Sequence, residues 1–160
     1  MTANRRSELA DRLIAGVNGD PDQRSATRLL CNAAGGIWLS KLDGWPEYLR
    51  ALEDDRHPDA LWVDWHRLRD DLAADDHAWS TFNDWANSYA GRRATEAEYE
   101  THLAATVPHR PWHGASSSEL VLLRVALELA PGGLLGDGLA RLDLRNRRAV
   151  RAALDELTGG

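Results

Sequence analysis

Lysine is nearly missing from this 160-residue chain. Lys41 stands alone against 18 arginines. That bias fits a GC-rich bacterial genome. It also leaves the chain with planar, always-charged cations suited to bidentate pairing. Cysteine is equally scarce. Cys31 is single, so no intramolecular disulfide can form, and no thiolate metal site of several cysteines is available. No apolar run approaches the roughly 20 residues of a membrane-crossing helix. The start, Met1-Thr2-Ala3-Asn4-Arg5-Arg6, lacks the apolar stretch of a secretory signal. A cytoplasmic protein without a membrane partner is the expectation.

Alternating β-branched residues are also absent, and phenylalanine occurs once. Helical spacing recurs instead. The pattern predicts an all-α fold of one domain over 1–160. It would be a compact bundle of seven to eight short helices around a buried central helix near residues 118–130. The first helix is expected over about Asn4 to Val17. Asp20-Pro21 reads as an N-cap with proline at the first helical position. Tyr48, Leu49 and Leu52 suggest a short helix. Leu61, Trp65, Leu68 and Leu72 fall at i, i+4, i+7 and i+11, an apolar stripe of a further helix. Ser80 would cap the next one, with Phe82, Trp85 and Tyr89. Thr95 and Glu98 form a capping-box pattern, as do Ser116 and Glu119. Residues 120–130 are apolar nearly all round, which predicts burial on every side. Asp143 would open a final helix with Val150, Leu154 and Leu157.

What the chain has in excess is tryptophan and local acidity. Four of seven tryptophans (Trp62, Trp65, Trp79, Trp85) lie within 24 residues. Each can bury about 150–250 Å² and needs a partner for its indole N–H. Residues 53–76 carry nine acids and three arginines, a net −6 that equals the charge of the whole chain. Such a band steers basic partners and repels nucleic acid.

Three chemistries compete. Trp45, Trp62, Trp79 and Trp112 with Asp75 and Asp76 suit a protein-binding surface, since tryptophan is enriched in interface hot spots. A non-enzymatic adaptor that engages a protein partner is the leading expectation. His66 and Asp70, at i, i+4, form half of a metal site that loop residues His109 or His113 would have to complete. A metal-dependent hydrolase is therefore the first alternative. Arg141, Arg145, Arg148 and Arg151 make the C-terminal stretch basic, so a DNA-binding regulator is the second. The acidic balance disfavours it. A second copy of the chain is a further partner for these arginines. Pro108-His109-Arg110-Pro111-Trp112-His113-Gly114 cannot be regular helix and reads as a structured functional loop. Ser116, Ser117 and Ser118 follow it, but lack the strand and glycines of a nucleophile elbow. No phosphate-binding glycine loop is present, and no cofactor is expected.

Overall fold

Asp64 separates two local structures. Before it, Leu61–Val63 is an extended strand; after it, Trp65–Asn87 is one unbroken 23-residue helix. The Asp64 side chain accepts the Arg67 backbone N–H and so caps that helix. The computed structural model describes residues 1–17, 19–133 and 148. Among these the chain is mostly helical, with one two-stranded sheet.

Helix α1 (Ala3–Ala15) is capped by Thr2, and α2 (Pro21–Asn32) by Asp20 with Pro21 at its first turn. A 3₁₀ turn (Ala33–Gly36) passes through left-handed backbone, including Ala34 at φ 50°, and leads into α3 (Ile37–Leu42). Strands β1 (Leu49–Ala51) and β2 (Leu61–Val63) pair antiparallel, Arg50 opposite Trp62. Then come α4 (Trp65–Asn87), α5 (Tyr89–Arg93), α6 (Glu96–Thr106) and α7 (Ser117–Leu129). Both halves of the Ser116–Glu119 capping box are formed.

The core joins α1, α2, α3, the hairpin, the first half of α4 and α7, around Leu13, Leu30, Trp38, Leu42, Tyr48 and Leu68. The Trp38 indole donates to the Glu119 carbonyl at 2.9 Å, tying α3 to the first turn of α7. At the end of α1 the hairpin comes so close that a Cβ on Gly16 would lie 1.9 Å from the Leu61 carbonyl oxygen.

Four expectations need correction. The helical class holds among the described residues, but a short two-stranded hairpin that helical spacing did not predict joins it. Leu49 and Leu61 belong to strands, because Leu61 and Val63 face inward while Trp62 between them is only half-buried. A period-2 pattern over three residues is too short to stand out beside the longer helical stripe. Ser80 caps nothing, since it lies inside α4. No glycine or proline interrupts residues 65–87, and Ala73, Ala74 and Ala78 favour helix there. Tyr48 and Leu49 lead into β1 rather than forming a helix. Finally, α7 buries one face only. Leu123 and Ala126 are inside, while Val121 and Val125 are exposed. The predicted helix after Asp143 lies outside the described residues.

Candidate functional site

Two aspartates one turn apart on α4 organise the most polar part of the interior. Asp71 and Asp75 are both buried. Their i, i+4 spacing puts them on one face. Together they hold the 108–114 loop against the helix.

Asp71 Oδ2 accepts the Tyr48 hydroxyl at 2.8 Å, Arg67 Nε at 2.8 Å and an Arg110 guanidinium N–H at 3.2 Å. The same Arg110 nitrogen reaches the Tyr48 oxygen at 3.3 Å. Burial alone would push the Asp71 carboxyl up. The hydrogen bonds from Arg67 and Tyr48, with the Arg110 charge, outweigh it and hold the carboxyl below its ordinary range. Tyr48 moves the other way. Burial, then the bond to Asp71 and its charge, raises the phenol well above its usual value, so it stays a donor.

Asp75 receives two neighbouring residues of the loop. Trp112 Nε1 donates to Oδ2 at 2.9 Å, and His113 Nε2 to Oδ1 at 2.9 Å. His113 Nδ1 accepts the Arg110 backbone N–H at 3.3 Å. Both ring nitrogens are therefore engaged. With Nδ1 accepting and Nε2 donating, the ring is the neutral Nε2–H form in this arrangement.

Over this polar layer runs a strip of rings. Trp45 lies 5.7 Å from His109, His109 5.9 Å from His113, and His113 6.0 Å from Trp79. The strip continues from Trp79 to Phe82, and Trp85 stacks on His102 at 3.8 Å. Trp45 is half-buried and Trp79 is 37% exposed. Trp79, His109 and His113 wall an open cleft of about 290 Å³, closed on its far side by Leu103, Ala104 and Val107 of α6 and the turn after it.

The residues singled out from sequence separate accordingly. Trp112 and Asp75 meet each other inside, at 4% and 5% exposure, and neither is open to a partner here. Asp76, next in sequence, is exposed and pairs with Arg124 at 3.3 Å. Trp62 lies on the hairpin with the Arg50 guanidinium 5.5 Å from its ring centre, apart from the ring strip. Trp45 and Trp79 are the two that share a surface with His109 and His113.

The metal-site candidates are spread out. His66 is exposed and faces the chain beyond α7, where a Cβ on Gly132 would lie 3.2 Å from its ring. It precedes Asp75, the anchor of His113, by nine residues, about 13 Å along the helix axis. Among the described residues, no group of three or more His, Cys, Asp or Glu side chains is placed to hold a metal ion. Ser116 spends its hydroxyl on the Glu119 N–H. Cys31 is buried, and that burial, with the Asp11 charge, pushes its thiol up to about 12. Arg141, Arg145 and Arg151 lie outside the described residues; Arg148 is exposed.

Sequence reading missed Tyr48, Arg67, Asp71 and Arg110. The available signal was the Asp71–Asp75 spacing, hidden behind the more visible doublets Asp70-Asp71 and Asp75-Asp76. Comparison with protein-family models, with curated proteins and with solved structures finds no match to this chain.

Proposed function

We propose that this chain is a non-catalytic helical binding module of the cytoplasm, engaging a protein partner through the strip Trp45–His109–His113–Trp79. One contrast carries this reading. The polar groups in and beneath the strip that could do chemistry are occupied by one another, whereas the Trp79 and His109 rings are exposed. His113 has neither nitrogen free, and Asp71 already receives three donors. Partly exposed tryptophans set on a hydrogen-bonded base are the usual anatomy of an interface anchor: large contact area with few rotatable bonds. The acidic band contributes less than its composition suggests. Asp64, Asp71 and Asp76 each pair with an arginine inside the chain.

The test is a photo-crosslinking residue in place of Ala104, on the exposed wall of the cleft, in the full chain within cells that express it. Discrete adducts that vanish in a Trp45→Ala/Trp79→Ala variant with unchanged circular dichroism are the expected result. Identical adducts with and without the two tryptophans count against the proposal.

A further inference from the structure

The two buried aspartates differ in charge balance. Asp71 lies under two guanidiniums, Arg67 and Arg110. Asp75 has only neutral donors, the Trp112 indole and the Nε2–H of His113. Among the described residues, neither guanidinium lines the cleft between α4, α6 and the loop, and no lysine or arginine does. The negative end of this row therefore backs onto the cleft, with the His113 ring between. Glu100 adds to it. It is exposed and stands one turn before Leu103 and Ala104, on the same side of α6. The cleft thus combines an exposed tryptophan face and an aliphatic wall, with the Asp75 carboxylate behind its His113 wall and Glu100 one helical turn from Leu103 and Ala104.

We infer that this cleft takes a cationic side chain of the partner, an arginine. The guanidinium would stack on Trp79, and the methylene stem would lie along Leu103 and Val107. An aromatic face attracts a cation most strongly where water is displaced, and guanidinium is the more weakly hydrated of the two protein cations. The buried carboxylate acts over a low-dielectric path and is screened little by salt. A purely apolar side chain would gain from Leu103 and Val107 but nothing from Asp75 or Glu100. This inference rests on the reading of the ring strip as a binding face.

The experiment titrates three blocked pentapeptides into the ¹⁵N-labelled full chain: diglycine–arginine–diglycine and its citrulline and norleucine analogues. The Trp79 indole N–H is the reporter. Citrulline keeps the planar shape and length of arginine but loses the charge, with one NH2 donor replaced by a carbonyl acceptor. The arginine peptide should give saturable shifts, and citrulline should bind about tenfold more weakly, the scale of a partly desolvated cation–π contact. Glu100→Gln should weaken the arginine peptide several-fold and leave norleucine unchanged. Ala104→Trp, which fills the cleft from an exposed position, should abolish the shifts while circular dichroism stays native. Equal binding of arginine and citrulline would overturn the cation and leave the binding face intact. No shift with any peptide, while the tryptophan-dependent crosslinks persist, would overturn the cleft as the recognition pocket. Loss of both would remove the two readings together.

Discussion

Replacing Asp75 by alanine should cost this fold far more than replacing its neighbour Asp76. Asp75 is 5% exposed and accepts the Trp112 indole at 2.9 Å and the His113 imidazole at 2.9 Å. Hydrogen bonds to a charged acceptor contribute about 1.5–3 kcal/mol each. Trp112 is 4% exposed, so its N–H would find no water in exchange. The loss should be about 4 kcal/mol, a large part of the roughly 5–15 kcal/mol that holds a typical domain together. Asp76 is exposed and pairs with an exposed Arg124, so Asp76→Ala should cost less than about 1 kcal/mol. The assay is urea unfolding at pH 7, followed by tryptophan emission and far-ultraviolet circular dichroism. A cycle with Trp112→Phe isolates the indole bond and should return a coupling of about 1.5–3 kcal/mol. An Asp75→Ala loss below about 1 kcal/mol, or no coupling to Trp112, would refute the claim that this carboxylate pins the loop.

Asp71 predicts the acid limb of the stability curve. Its carboxyl is held below its ordinary range, so its contribution is fully present above the unfolded value of about 3.9 and is lost as pH falls through the lower native value. Asp71→Asn should flatten that limb in acid unfolding monitored by circular dichroism, and an unchanged limb would count against the network. Gly16→Ala places a methyl where the Leu61 carbonyl oxygen sits 1.9 Å away, so it should lower stability by about 1–3 kcal/mol in the same urea assay. Cys31, with its thiol pushed up to about 12, should resist an aromatic disulfide reagent at pH 8 in the native protein and react promptly in urea. Thr95→Ala removes the acceptor for the Glu98 N–H at the start of α6 and should cost about 1 kcal/mol.

Capping chemistry was the most legible layer of the sequence. Asp20-Pro21, Thr95 and Ser116 all begin helices as their side chains predict, because a cap is a contact between residues two or three apart. The stripe Trp65, Leu68, Leu72 was legible for the same reason. The hairpin was not. Three-residue strands carry too few alternations to register, and their stability comes from α1, whose end Gly16 lies far away in sequence. The site was half visible. The 108–114 loop announced itself through its prolines, and Trp79 through its setting, but burial could not be read. Asp75 and Asp76 look alike in sequence, and only the packing of Trp112 and His113 separates them.

The loop that carries His109 is fastened to α4 at two carboxylates a helical turn apart, about 6 Å. A segment held at one point can pivot there; one held at two cannot. Pulling on His109 loads the Arg110–Asp71 and His113–Asp75 contacts together. His109 and His113 are thereby held in place by two contacts, and under the proposed binding role their part of the strip has its shape before a partner arrives. A partner meeting it would lose little free energy to ordering this side of the contact.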